Sequence, residues 1–554
     1  MNNSFDVAIL GGGLAGLTLA LQTKQILPNA SIVVLERRDG GAPEAAHKVG
    51  ESTVELGTHY IREVLDLKDY MDEHQLPKHG LRFFFSPQHK NDISKRVELG
   101  PRKLLPVPSH QIDRGTFENK LTELCIERGI EVLLGAKAND VDFKDAGHKV
   151  DFNYQQEDKS ITARWVIDST GRASFLKRKL GLKKDINHAV CAAWFRIKGD
   201  LNVDDWSDNK EWNTFLEPGL RRLGTVHFMD KGYWVWLIPL ATGNTSVGIV
   251  ADPAIHPFET YNKLDKALEW LKVNEPLCYE NIEPRKDDIL DFKILKHFAL
   301  NSEKLYSHDR WAISGESGVF LDAFYSPGTD FISLNNTLIS DLIARDMAGE
   351  DITLHTDVYE KTLFAIFNNW VPLYEDKYPM WGLTQTMILK IFWDWAIYWG
   401  VPTLLFTNDG FTKLMVLKNL FASENGGGQK FGRLSIQVQT LLLEWSKYDT
   451  EQFEDRYIDP FDIAYLRDLH IGLDERYSPR ELVAKVNENV VLLEEIASEL
   501  FRLMSNQIYG TPMDMKVDPY AMSLKTKPME VENGIIAREQ VKEGLAVMWY
   551  YPVK

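Results

Sequence analysis

Six residues, Gly11-Gly-Gly13-Leu-Ala-Gly16, constrain the fold more than any other part of the chain. They follow the apolar run Phe5–Leu10, which reads as a buried parallel strand, and they open the helical run Leu14–Thr23. A second strand follows at Ser31–Leu35 and ends in the acid Glu36, twenty residues after Gly16. Each glycine has a physical task. Gly11 makes the tight turn, Gly13 lets the backbone approach a pyrophosphate, and Gly16 lets helix and strand pack closely. Leu14 and Ala15 open the helix, whose unpaired N–H groups and positive dipole end suit an anion. Glu36, followed by Arg37, is placed to accept from ribose hydroxyls. A glycine turn alone is weak evidence, but strand, glycines, helix, strand and acid together read as a dinucleotide site.

The rest of the composition narrows what surrounds this unit. A chain of 554 residues, 44% hydrophobic and 26% charged, has room for two or three globular domains. The net charge of −17 excludes a phosphate-backbone partner, which would want a basic face. Cys125, Cys191 and Cys278 have no metal-ligand spacing and read as reduced, buried thiols, so no metal site and a cytoplasmic location are expected. The N-terminal residues lack the basic region and cleavage site of a signal peptide. Met387–Phe406 is apolar, but Lys390 and Asp394 interrupt it and Pro402 breaks it. It is therefore expected as a core helix or substrate wall, not a membrane span.

Further along, helices are expected near Val54–Met71 and Phe117–Arg128, and strands near Leu81–Phe85, Glu131–Leu134, Val150–Tyr154 and Ala163–Asp168. Strand-like runs alternate with turns from about 185 to 300. Arg310–Ser314 is again a buried strand, followed by a glycine-rich segment and the helical run Ile332–Met347. Beyond residue 351 the chain reads as helical and aromatic to about 505, with Asn425-Gly-Gly-Gly-Gln429 as a flexible loop and short strands and turns at the end. The fold class that results is α/β, a Rossmann-type domain of the aromatic-hydroxylase type with an inserted β-sheet domain and a helical C-terminal region. Expected boundaries are 1–185 and 301–350 for the nucleotide domain, 186–300 for the substrate sheet and 351–554 for the enclosing helices.

Two strand ends point to FAD. Trp165-Val-Ile-Asp168-Ser-Thr-Gly171-Arg172 and Trp311-Ala-Ile-Ser-Gly315-Glu316 resemble the second and third nucleotide-contact segments of the FAD-dependent monooxygenase and halogenase superfamily. Gln111-Ile-Asp113-Arg114 resembles its Asp-Arg element, although Asp113 reads equally as a helix N-cap. Three more segments resemble the flavin-dependent halogenases: His47-Lys-Val-Gly50-Glu51-Ser52, Pro77-Lys78-His-Gly80-Leu-Arg-Phe83 and Gly232-Tyr-Trp234-Val-Trp236-Leu-Ile238-Pro239. The last is the most specific. The resemblance covers about the first 340 residues and implies FAD as cofactor, with its reduced form supplied by a separate flavin reductase. It also implies that a flavin hydroperoxide oxidises halide to hypohalous acid, which Lys78 steers onto an electron-rich aromatic, in the manner of secondary metabolism. Glu51, Ser52, Arg114, Asp168, Gly171 and Glu316 fall on flavin-contact positions by the same resemblance, and Trp234 and Trp236 on flavin-adjacent ones. On residue type alone Lys78 is an exposed strand-edge lysine and the tryptophans are ordinary packing.

The chain departs from that pattern in two places. Glu316 stands where the superfamily usually has aspartate. In Asp322-Ala-Phe-Tyr325-Ser326-Pro327-Gly328-Thr329-Asp330, Pro327 replaces one of the backbone N–H donors that hold halide in the halogenases. Gly328 and Thr329 can still donate at the start of the following helix, which leaves Pro327–Gly328 as an altered halide position. Tryptophan halogenases carry a glutamate at the position of Tyr325, so a phenol- or pyrrole-like substrate is expected, free or tethered to a carrier protein. Pro-Gly at this point also suits a hydroxylase or dehydrogenase on the same framework, without halide chemistry. A flavin-binding scaffold without turnover is the third reading.

Overall fold

The computed structural model describes residues 3–44, 48–451, 453–454 and 456–551, so His47 lies outside the described residues. Two sheets organise it. The first runs in the order Tyr306–Ser307, Trp311–Ile313, Glu157–Asp168, Ser4–Leu10, Ile32–Glu36, Glu131–Leu134. Its inner strands are parallel, with Leu10 beside Leu35 on one side and Asp168 on the other, and Asp168 beside Ile313. Val7 to Leu10 and Ile32 to Leu35 are buried on both faces, which is why these strands are continuously apolar. The carboxyl ends of three neighbouring strands thus converge where the glycine turn begins, the usual place for a ligand in such sheets.

The second sheet runs Lys293–Lys296, Cys191–Lys198, Asn244–Ala251, Tyr233–Pro239, Thr225–Asp230, Leu81–Phe84, Glu98–Leu99, Tyr457–Ile458. It draws on three distant parts of the sequence. Leu81–Phe84 pairs parallel with Thr225–Asp230, and Tyr457–Ile458 pairs parallel with Glu98–Leu99. The Lys78 region therefore hangs on this second sheet although it lies within the first 185 residues.

Helices from Thr353–Tyr374 to Pro479–Tyr509 fill most of the C-terminal half; Thr353–Tyr374 meets Tyr306–Ser307 of the first sheet, and Trp395 meets Phe83 of the second with ring centroids 6.2 Å apart. The expected helix near Val54–Met71 is broken into Glu55–His59, a wider turn at Tyr60–Val64 and Lys68–His74, with Asp66 at φ +56 between them. Two other expectations are corrected. Gly427 to Gln429 are not a loop but the first residues of the Gly427–Trp445 helix. The glycines there are steric: a Cβ on Gly426 would lie 2.4 Å from Leu420 O and one on Gly428 2.3 Å from the Phe421 ring. The C-terminal residues are an irregular run closed by one bridge, Val517 to Ile535, followed by the helix Glu539–Met548. Met387–Phe406 is a buried helix, Thr384–Tyr398, that continues through Pro402 as a wider turn. Among the described residues no helix is long and apolar enough to cross a membrane, and no cluster of metal-ligating side chains occurs. All three cysteines are buried and unpaired.

Candidate active site

The glycine turn leaves no room for side chains on its inner surface. Gly11 has φ +108, and a Cβ on it would lie 2.3 Å from Ser169 O; a Cβ on Gly16 would lie 2.0 Å from Gly11 O. Gly13 differs, because the nearest atom to its missing Cβ is the flexible Lys48 Nζ at 3.0 Å. A ligand approaching Gly13 would meet only the tips of the Lys48 and Glu118 side chains, at the N-terminus of Leu14–Ile26. Glu36 closes this end, accepting from Gly12 N at 2.7 Å and Arg38 N at 2.9 Å, while Arg37 is exposed. Gly315, at φ +63, sits so close to the helix that a Cβ would lie 2.9 Å from Ala15 Cβ, which brings Glu316 to the cleft. These clearances and the acid at the second strand's end fit a dinucleotide.

Leu14, Glu51, Ser52, Arg114, Trp234, Trp236, Glu316, Pro327, Gly328 and Thr329 line one continuous cleft. Asp168 and Gly171 do not. The Asp168 carboxylate accepts from Thr170 N, Thr170 Oγ1 and Leu176 N at 2.7–2.9 Å, and so holds the turn through Gly171, at φ +63. Asp113 caps the Arg114–Glu127 helix through Gly115 N and receives the Thr242 hydroxyl at 2.6 Å. Arg114 reaches back to Val49 O at 2.8 Å.

Glu51, Trp236 and Trp234 are buried in the cleft wall and each has a hydrogen-bond partner, although Glu51 Oε2 has none. Burial pushes Glu51 up and the Arg196 guanidinium, 2.9 Å away, opposes it. Trp236 donates to Ser246 Oγ at 3.2 Å and its ring fills the place of a side chain at Gly248, where a Cβ would meet Cζ2 at 2.1 Å. Trp234 donates to Tyr378 OH, which donates to Asp322 Oδ2 at 2.8 Å, where His188 Nε2 also lies at 2.7 Å. Burial drives the neighbouring His227 down to about 3, so it packs as a neutral ring, stacked on Phe83 at 4.5 Å.

The cleft ends at the helix Gly328–Met347, capped by Pro327. Its first-turn N–H groups have no partner within the helix. Pro327 supplies none, and Ser326 N donates to Ala323 O at 3.0 Å, so Gly328 and Thr329 remain as the donors of this segment. Pro327 also lines a second cavity, an apolar chamber walled by Leu81, Leu105, Trp370, Leu373, Trp395, Ile397, Trp399 and Phe461.

Lys78 opens into that chamber and is only 2% exposed, which excludes the surface-lysine reading. It follows the short strand Leu76–Pro77 and its N–H bonds Ser109 O. Its Nζ donates to Ser52 Oγ at 2.9 Å and Thr53 O at 2.8 Å. Burial pushes the Lys78 ammonium down to about 7, with Glu55 and Asp330 holding it from falling further. Asp330 lines the same chamber, accepting from Gly57 N and Tyr398 OH, both at 2.9 Å. Burial pushes its carboxyl up to about 8. Burial acts the same way on Glu55, but His470, with Nε2 3.4 Å away, and Lys78 hold it below its ordinary value. Asp330 and Glu55 escaped the sequence reading, whereas Trp395, Tyr398 and Trp399 fall in Met387–Phe406, the segment expected as a core helix or substrate wall. Asp330 carried one signal there, as an acid in the first turn of a helix that begins at a ligand cleft.

Comparison with known proteins gives a consistent picture. Residues 4–246 match the protein family described as FAD binding domain. The flavin-dependent halogenase chlA of Dictyostelium discoideum is 26% identical over 433 residues, covering 72% of this chain and 70% of that protein. A brominase of Pseudoalteromonas luteoviolacea that acts on 1H-pyrrole-2-carbonyl-[peptidyl-carrier protein] is 25% identical over 413 residues, covering 72% of this chain and 87% of that one. Among solved structures, the halogenase PltM, in complex with phloroglucinol and FAD, superposes with a TM-score of 0.61 at 15% identity, covering 88% of this chain and 96% of that chain. The shared fold is the FAD-binding aromatic-hydroxylase type with a helical C-terminal region.

Proposed function

We infer that this FAD-dependent enzyme, whose curated relatives are flavin-dependent halogenases, is itself a halogenase of an electron-rich aromatic substrate of the phenol or pyrrole kind. The observation that carries the reading is the position of Lys78: a fully buried amine in an apolar chamber that meets the flavin cleft at Pro327. Residues 1–185 and 301–350 would hold the cofactor, 186–300 would form the substrate sheet and 351–554 would enclose the substrate, with Leu81–Phe84 and Glu98–Leu99 lent to that sheet.

Glu36 would hold the adenosine end of FAD, the turn at Gly11, Gly13 and Gly16 its pyrophosphate, and Trp234, Trp236 and the Gly328 helix end would stand beside its ring system. Once reduced and bound, FAD supplies the two-electron reduction of oxygen that turns halide into hypohalous acid. The chain's own groups do the rest. Gly328 and Thr329 N–H groups, at the positive end of a twenty-residue helix, would donate to a halide. An ammonium at Lys78 has three N–H bonds; Ser52 and Thr53 take two, and the third is free to hold the oxidant's oxygen. Asp330 and Tyr398, within the same chamber, can hold a substrate O–H or N–H beside it. The apolar wall keeps water from consuming the oxidant.

A separate flavin reductase would supply the electrons, and the substrate would be free or carrier-bound, as in the pyrrole relatives. The direct test is product analysis by mass spectrometry. The enzyme is incubated with FAD, a flavin reductase, NADH and bromide against a panel of phenols and pyrroles. Brominated product is expected; oxygenated product alone would replace this reading with the hydroxylase one.

A further inference from the structure

The segment Asp322–Pro327 runs between the two cavities, and its consecutive residues face different ones. Tyr325 lines the chamber, Ser326 lines the flavin cleft and Pro327 lines both. The backbone there is strained: Tyr325 has φ +69 and Ser326 φ +60, two neighbouring non-glycine residues in the left-handed region. Such residues are strained and persist only where the surroundings hold them. What holds them comes from the C-terminal helices. Tyr325 OH donates to Asp394 Oδ2 at 2.8 Å, and Tyr374 OH donates to Phe324 O at 3.1 Å. Phe324 lies against the Trp381 ring with centroids 4.6 Å apart.

Asp394 is itself fixed. Its Oδ1 accepts from Gln439 Nε2 at 2.8 Å, and its Oδ2 receives Lys390 Nζ one helical turn away, both ends of that pair being buried. Lys390 Nζ also stands 5.7 Å from the centre of the Tyr325 ring. A carboxylate with three donors and little exposure, even where it borders the chamber, is a stiff anchor, because each bond to a charged group is stronger than a neutral one.

We propose that Tyr325, anchored by Asp394, is a positioning residue that keeps segment 322–327 as a partition between flavin cleft and chamber, so that oxidant formed on one side reaches Lys78 without escaping. The proposal rests on the halogenase reading for its oxidant, but the partition itself does not. Without the Tyr325 hydroxyl the strained turn loses its bond to Asp394, and the segment relaxes. The ring remains in place, so packing is kept.

The experiment compares the parent with Tyr325→Phe and Tyr374→Phe, each loaded with FAD. Amide hydrogen exchange in 322–327 should rise about tenfold in Tyr325→Phe, while exchange in the Leu14–Ile26 helix and FAD affinity stay unchanged. In turnover with bromide, oxidant intercepted by monochlorodimedone in solution should rise relative to halogenated substrate by roughly tenfold at unchanged oxygen consumption. Tyr374→Phe, which loses a bond to a carbonyl instead of to the anchor, should give a smaller change in both readings. Unchanged exchange in 322–327 would overturn the proposal whatever the chemistry. So would raised exchange with an unaltered ratio of intercepted oxidant to product. Raised exchange in a protein whose parent makes no halogenated product would leave the partition standing and remove the halogenase reading.

Discussion

Lys78 Nζ stands 2.9 Å from Ser52 Oγ, yet the two residues line different cavities, the lysine the chamber and the serine the flavin cleft. Together with the bond to Thr53 O at 2.8 Å, this bond ties the loop after Gly50 to the strand end that carries the lysine. The two bonds also limit what the lysine can do, because two of its donors are already committed.

The first prediction follows from that commitment. If the third N–H holds the oxidant, product formation needs the ammonium form and should fall as pH rises through about 7, where burial places Lys78. Lys78→Ala should lose halogenated product while keeping FAD uptake and oxygen consumption. Lys78→Arg should rescue poorly, since its planar fork cannot satisfy Ser52 and Thr53 in the same way. A pH–rate profile that rises above pH 7 would mean that the free amine is the active form instead.

Gly13 and Gly16 should fail differently. A side chain at Gly13 displaces only the tip of Lys48, so Gly13→Val should fold and yet not take up FAD. At Gly16 the obstacle is the Gly11 carbonyl at 2.0 Å, which cannot move without the strand, so Gly16→Val should not fold. Far-ultraviolet circular dichroism beside FAD titration separates the two outcomes. Normal FAD uptake by Gly13→Val would move the pyrophosphate elsewhere.

Pro327 bears on halide. With Ser326 N engaged by Ala323 O and no N–H on Pro327, the segment offers fewer donors than a halide site wants. A charge-assisted bond contributes about 1.5–3 kcal/mol, so halogenation should need high halide, bromide should outperform chloride, and Pro327→Thr should lower the half-saturating halide by roughly tenfold or more. Identical halide dependence in the two proteins would place the halide away from this segment.

Asp330 should shape the pH dependence of stability. Its carboxyl is raised to about 8 when folded, so between about pH 4 and pH 8 the folded chain holds a proton that the unfolded chain has lost. Stability from this group is therefore greatest below pH 4 and declines as pH climbs to about 8. Asp330→Asn removes the decline and should be the more stable protein at pH 9, by on the order of a few kcal/mol, with little advantage at pH 5. Urea unfolding of both proteins at the two pH values measures it. Equal pH slopes would mean that Asp330 is ionised in the folded state.

The sequence disclosed the nucleotide half and its fold because that half is written locally. Strand, glycines, helix and acid fall within some thirty residues, and each glycine's task depends on neighbours close in the chain. Lys78 was found by resemblance, but its burial was not legible: the cover over it comes from Asp330, Trp370 and Tyr398, hundreds of residues away. The same distance hid Glu55, which meets His470. Gly427 and Gly428 read as a loop because a glycine run looks alike whether it is free or crowded. Only the Asn487 side chain and the Phe421 ring, seen in place, tell the two apart.

Trp236 and Gly248 occupy what is in effect one side-chain volume, since any Cβ at 248 would fall 2.1 Å from Cζ2 of the indole. The two sites, paired across adjacent strands, are therefore heritable only as a unit. Descendants of this chain can exchange bulk from 236 to 248 in a coordinated double step, and either single step passes through a crowded or hollow intermediate. Covariation of these positions across related sequences would record that history.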